Sequence, residues 1–405
     1  MTTTETTTAA ELFSRTLRLD SRPNPYPLYE QMLDLPVTEM SDGSWLVSRH
    51  ADIKRVLHDP RISANRLDPN APDPGEAKAP ASFLVQDAPS HDRLRGLVMK
   101  EFVPRVIGMR DHLEELVGKL LDAHLSDGPG QLDIVDDLAY PLPVTVICEL
   151  LGVPQEDEPI FGEFARKLTR GLDPVEEPDE AEIRELTQVR NALIDYLNGL
   201  IVEKTRNPGD DLLSAFMPAD PTVDRLGPLD LRATLALLLI AGHETTVNLI
   251  ANGTLALLRN PDALARLRNE PELATMLVEE VLRYDPPVQM TARSTTADIE
   301  IGGVLVPAGS ALRVMLAAGN RDTDVFADAD QFVPDRPNNA HLGFGGGVHY
   351  CVGAMLARAE AQIALTALSR RLDNPRLVAD PPPYRENAVL RGPEHLLVSF
   401  DRLRK

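Results

Sequence analysis

Along most of this chain apolar residues recur every third or fourth position, and strict alternation is confined to short pieces, so the sequence reads as largely helical. Helical periodicity covers 25–35, 51–57, 90–101, 105–125, 136–151, 156–170, 180–205, 229–258, 261–269, 271–284 and 351–372. Strand-like pieces are brief: 37–40, 44–48, 299–306, 311–315 and 396–400. The predicted fold class is mainly α with a small β-sheet region. The apolar run over 229–258 predicts one central helix, yet its middle carries Gly242, His243, Glu244, Thr245 and Thr246. An acid and a hydroxyl there are costly unless used, and glycine and threonine weaken regular helical bonding, so a local groove is expected.

Composition bounds this picture. With 405 residues, 43% of them hydrophobic, the chain can bury a large core, and no linker divides it: the proline-rich patches at 68–80 and 380–383 are short. One unit over 25–405 is expected, after a tail over 1–24 whose threonine-rich start, 1–10, is disordered. A net charge of −21 argues against nucleic acid and against an anionic membrane surface. His243 and Glu244 interrupt the best apolar run before it reaches the roughly 18 to 20 residues of a membrane span. Residues 1–10 lack a secretion-signal pattern. The two cysteines form no framework, which fits a reducing, cytoplasmic location. Placed inside a helix, the Asn252-Gly253-Thr254 sequon carries no weight.

The densest chemistry lies in Phe344-Gly345-Gly346-Gly347-Val348-His349-Tyr350-Cys351-Val352-Gly353. Cys351 is not half of a zinc clip, because the other cysteine, Cys148, lies far off in a helical run. It can be a single axial ligand. Glycines let backbone amides approach the sulfur, and the helix that follows aims its positive end at a thiolate. A phosphate-cradling loop is the weaker reading, since no Lys-Ser or Lys-Thr pair follows.

The pattern Phe344-x-x-Gly347-x-His349-x-Cys351-x-Gly353 resembles the haem-binding signature of the cytochrome P450 superfamily at every defining position. The resemblance runs from about 25 to 400 and implies the cytochrome P450 fold, haem b with an axial cysteine thiolate, and monooxygenase activity. It implies that Ala241, Gly242, Glu244 and Thr245 form the distal dioxygen groove, with Glu244 and Thr245 relaying protons. Glu280 and Arg283, one helical turn apart, match a buried structural pair that Arg336 completes. His91, Arg95, Arg293 and His349 match the ligands of the two haem propionates, a task suited to arginine forks. Leu84, Leu237, Ile240, Val288, Gln289, Met290 and Leu390 match the walls of the substrate pocket, which is nearly all apolar.

The implied reaction inserts one oxygen atom from O2 into a lipophilic small molecule by hydroxylation or epoxidation. The similarity of the Ala241 to Thr246 segment to soluble actinobacterial enzymes points to natural-product metabolism, with polyketide or macrolide, terpenoid or steroid-like substrates. Electrons are expected from a ferredoxin and ferredoxin reductase. Lys100, Arg105, Arg110 and Arg358 are candidates to dock the acidic donor. Two alternatives stay open: a peroxide-driven haem-thiolate peroxygenase, and a non-catalytic haem sensor or scaffold.

Overall fold

The structure, a computed structural model, describes residues 8–65, 82–174, 180–217, 222 and 224–405. The proline-rich patch at 68–80 falls outside the described residues. The helices are α1 (Ala9–Thr16), α2 (Tyr26–Leu33), α3 (His50–His58), α4 (Ser90–Ile107), α5 (Arg110–Asp122), α6 (Pro141–Leu151) and α7 (Glu158–Arg170), followed by α8 (Glu180–Arg206), α9 (Leu212–Phe216), α10 (Pro228–Arg259), α11 (Pro261–Asn269), α12 (Ala274–Tyr284), α13 (Leu316–Gly319) and α14 (Ala354–Arg371). The strands are β1 (Val37–Glu39), β2 (Trp45–Val47), β3 (Ile62–Ser63), β4 (Gly130–Asp133), β5 (Thr291–Thr295), β6 (Ile299–Ile301), β7 (Val304–Val306), β8 (Ala311–Val314), β9 (Leu372–Asp373), β10 (Arg376–Leu377), β11 (Leu397–Phe400) and β12 (Arg402–Leu403).

Helix α10 starts with Pro228 at its first position, where a missing N–H costs nothing, and stops at Asn260 ahead of Pro261. Its Val247, Leu249, Ile250 and Ala251 are essentially inaccessible, packed among helices α6, α12 and α14 in the largest apolar cluster. Burying each larger side chain contributes roughly 1.5–3 kcal/mol, which is what holds so long a helix in place. By length and composition α10 is apolar enough to cross a membrane, so the sequence-based exclusion was too strict; 65% of its most apolar window is buried inside the fold.

A five-stranded sheet runs β1-β2-β8-β5-β3, with β2 and β8 parallel and the other pairs antiparallel. The piece read as one strand over 299–306 is a hairpin of β6 and β7, turned at Gly302 and Gly303, whose φ values of 56° and 80° favour glycine. Nor does Pro104 break α4, which continues to Ile107.

The tail expected over 1–24 is corrected from Thr8 onward. Thr8 Oγ1 accepts from the Glu11 amide at 3.2 Å while the Thr8 amide donates to Glu11 Oε2 at 2.7 Å, a capping box that starts α1. Leu12 and Phe13 then pack with Leu28, Tyr29 and Met32 of α2 in a separate apolar cluster.

Candidate active site

The cysteine loop is wound tightly. The Cys351 amide donates to the Phe344 carbonyl at 3.1 Å and that of Tyr350 to the Gly347 carbonyl at 3.1 Å, around a single 3-10 turn over Gly347–His349. Gly347 has φ of 63° and lies so close to α3 that a Cβ would overlap the Leu57 carbonyl; its amide donates to His58 Nε2 at 3.1 Å. These constraints seat Cys351 just ahead of α14. Burial pushes its thiol up, while the Gly353 and Ala354 amides and the charges of Arg95 and Arg358 pull the other way. Cys148 has no such help: it is buried on α6 and pushed up to about 12 by burial and by the carboxylates of Glu158, Glu149 and Asp157. The Phe344 ring lies 4.6 Å beneath the Arg358 guanidinium.

Four basic side chains from three elements meet beside this loop. His91 and Arg95 come from α4, Arg293 from β5, and His349 from the loop itself. The two imidazole rings are 4.3 Å apart. Burial, then the charges of Arg293 and His91, push His349 down to about 4. Arg95 donates to the Tyr350 carbonyl at 2.7 Å, and Arg293 to Thr291 Oγ1 at 3.0 Å and the Ala292 carbonyl at 2.7 Å. His91 Nδ1 meets Asp92 Oδ1 at 2.8 Å, but its buried Nε2 has no hydrogen-bond partner among the described residues. A buried imidazole nitrogen left unpartnered beside two arginines fits a carboxylate when the ring is doubly protonated, and a haem carries two. The residues present therefore fit the group.

Helix α10 runs through Ala241 to Thr246 without interruption, so the expected groove is not a break in the helix. The Thr245 hydroxyl donates to the Ala241 carbonyl at 3.0 Å and that of Thr246 to Gly242 at 3.5 Å, supplementing the backbone ladder. At Gly242 a Cβ would sit 3.2 Å from Ile147 Cγ1, so this glycine lets α6 and α10 approach. Glu244 is buried and ion-paired with Arg385, a partner that sequence reasoning missed. No local signal marks Arg385: it reaches α10 only because a distant segment folds back.

Glu280, Arg283 and Arg336 form one buried cluster. Arg283 grips the Glu280 carboxylate with Nε at 2.8 Å and Nη2 at 2.7 Å, and Arg336 Nε reaches both oxygens at 3.1 and 3.2 Å. The Val333 amide and Asn339 Nδ2 donate to the same carboxylate at 2.8 and 3.1 Å. Arg283 also donates to the carbonyls of Asn320, Ala329 and Gln331, which ties α12 to the segment leading to the cysteine loop.

The expected pocket walls are only partly gathered. Leu237 and Ile240 share one partly buried face of α10, and Val288 bridges to Leu390. Met290 lines a cavity of about 410 Å³ with Leu172, Asp173, Thr291, Ala292 and Val389. Leu84 stands exposed on a short turn. Gln289 is a correction: fully buried, it accepts from the Tyr29 hydroxyl at 2.9 Å and donates to the Pro286 carbonyl at 2.5 Å, so its amide belongs to the core. The proposed cationic docking set also changes. Arg358 forms a bidentate pair with Glu279 at 2.7 and 2.8 Å, Arg105 pairs with Glu101 and Asp210, and Arg110 with Glu114, leaving only Lys100 of the four unpaired among the described residues.

A thiol cradled by backbone amides beside a positive cluster short of anions is the binding arrangement of a haem-thiolate protein. The sequence profile of the Cytochrome P450 family matches residues 37–400, and the chain belongs to that family. It is 40% identical over 394 residues to cytochrome P450 107B1 of Saccharopolyspora erythraea, spanning 91% of this chain and 93% of that protein. To the 6-deoxyerythronolide B hydroxylase of the same organism it is 38% identical over 414 residues, covering 98% and 100%. The ligand-free crystal structure of Mycobacterium smegmatis CYP164A2 superposes with a TM-score of 0.89 at 41% identity, over 96% of this chain and 100% of that one. The chain is accordingly a cytochrome P450 monooxygenase, whose cofactor is haem bound through a cysteine thiolate.

Proposed function

We propose that Cys351 is the axial ligand, that His91, Arg95, Arg293 and His349 hold the propionates, and that the enzyme hydroxylates or epoxidises a lipophilic natural product of polyketide, terpenoid or steroid type. The observation that carries this reading is the joint placement of the Cys351 sulfur, the Gly353 and Ala354 amides and the four basic side chains at one loop. Thiolate-bound haem supplies dioxygen activation and favours scission of the O–O bond. The overall stoichiometry is one C–H bond, one O2, two electrons and two protons to one alcohol and one water. Within it, Glu244 and Thr245 hold and pass protons, Leu237, Ile240, Val288 and Leu390 exclude water and orient the substrate, and Glu280, Arg283 and Arg336 keep the fold closed around the cofactor. Relatives named as 6-deoxyerythronolide B hydroxylase and vitamin D(3) 25-hydroxylase support the substrate class, as does the apolar character of the walls. A ferredoxin and its reductase supply the electrons. Two free cysteines suit the cytoplasm.

The carbon monoxide difference spectrum of the reduced protein tests the ligand. A Soret band far to the red of a histidine-ligated haem is expected, and Cys351→Ser abolishes it. Wild-type protein with a histidine-like spectrum overturns the assignment. Thr245→Ala should divert electrons to peroxide while haem stays bound; unchanged coupling removes Thr245 from the relay. Turnover with peroxide but none with ferredoxin and O2 would identify the peroxygenase alternative.

A further inference from the structure

Glu244, Asn248 and Asn252 recur every fourth residue and so lie along one face of α10. All three are buried, at 3%, 0% and 0% exposure, on a helix whose other buried residues are apolar or threonine. One distant segment reaches all three, and Asn252 Nδ2 donates to the Asp285 carbonyl at 3.1 Å as well. Residues 383–394 fold into a hairpin in which the Arg385 amide donates to the Gly392 carbonyl at 3.2 Å and that of Glu394 to Pro383 at 2.9 Å. Each rung meets the stripe: Arg385 pairs with Glu244, Gly392 lies so close that a Cβ would overlap the Asn248 carboxamide, and Asn252 Nδ2 donates to the Arg391 carbonyl at 3.2 Å.

The stem is held rigidly. Arg391 pairs with buried Asp285 and donates to the carbonyls of Arg22 and Pro23 at 2.6 and 3.0 Å. The same hairpin carries Leu390, which bridges to Val288 in the proposed pocket. Asn248 is the unusual member, because neither Oδ1 nor Nδ2 finds a hydrogen-bond partner among the described residues despite complete burial. Orphaning both atoms of a buried amide is unfavourable unless ordered water satisfies them. The two free amide atoms of Asn248, one helical turn from Glu244, supply polar partners for such a water.

We infer that Arg385 and Asn248 are positioning residues for the proton-delivering acid: Arg385 fixes the Glu244 carboxylate, and Asn248 holds the ordered water that resupplies its proton from the hairpin side. The inference rests on the relay role proposed for Glu244. Through Arg385, the segment that touches substrate also sets the orientation of the acid.

The test uses the haem-loaded enzyme with a plant-type ferredoxin, its reductase and testosterone as the lipophilic probe, and reads NADPH consumption and its solvent deuterium isotope effect. Glu244→Gln should slow consumption about 100-fold, Arg385→Gln about tenfold and Asn248→Leu about fivefold, each with a raised isotope effect. Arg385→Lys should recover most of the rate. Haem content and the carbon monoxide spectrum confirm loading, and should Arg385→Gln fail to load, Asn248→Leu carries the test alone. If Glu244→Gln slows turnover while Arg385→Gln and Asn248→Leu keep the wild-type rate and isotope effect, the positioning inference fails and the relay survives. Should Glu244→Gln itself behave as wild type, relay and inference fall together. A more stable Asn248→Leu with unaltered kinetics would mark Asn248 as an unsatisfied core amide.

Discussion

Replacing Glu280 with glutamine changes almost no volume and removes one charge from the most heavily hydrogen-bonded carboxylate in the structure. It accepts from two guanidiniums, a backbone amide and a carboxamide, all within 3.2 Å. Glutamine must turn an NH2 toward one of those donors, and it leaves Arg283, fully buried, and Arg336, 8% exposed, with no counter-charge. Breaking a buried pair by removing one partner costs about 3–5 kcal/mol. With about 2.1 cal/mol/K of unfolding entropy per residue over 405 residues, the melting midpoint should fall about 4–6 °C. Thermal scans of haem-loaded wild type and Glu280→Gln, followed together by far-ultraviolet circular dichroism and Soret absorbance, measure it. Glu114→Gln, which removes an exposed pair with Arg110, serves as a control with no measurable shift expected. A Glu280→Gln midpoint within about 1 °C of wild type, with full haem retention, would refute the reasoning that this cluster holds the fold closed.

Gly347→Ala should cost about 1–2 kcal/mol for the left-handed backbone alone and more for the overlap with the Leu57 carbonyl, so the haem-to-protein ratio of purified material should drop sharply. Burial would raise the Glu279 carboxyl, but Arg358 and His341 hold it at about 2 against 4.5 when unfolded. Its contribution is therefore complete above pH 4.5 and disappears as pH falls toward 2; Glu279→Gln should flatten the acid limb of a stability-versus-pH curve by up to roughly 3 kcal/mol. His91→Leu removes an imidazole whose Nε2 makes no bond among the described residues, so the apoprotein should keep its midpoint while haem transfer to a scavenging apoprotein speeds up.

What the sequence by itself determined was the chemistry and the periodic elements. The glycines around Cys351, the acid and alcohol inside an apolar helix, and the Glu280–Arg283 turn are local patterns, because backbone freedom, helix phase and the cost of a buried charge act over a few residues. The capping box at Thr8 and Glu11 is an equally local signal, and it starts a helix inside the expected tail. Tertiary structure alone decided which polar groups meet. Gln289 sat at the expected place for a pocket wall, yet the Tyr29 hydroxyl, 260 positions away, draws its amide into the core. Arg385 meets Glu244 across 141 positions because the hairpin over 383–394 closes on α10, and Arg358, an apparent docking cation, is neutralised by Glu279 across 79. Pairings at such separations depend on how whole elements pack, and neither hydrophobic period nor local propensity carries that information.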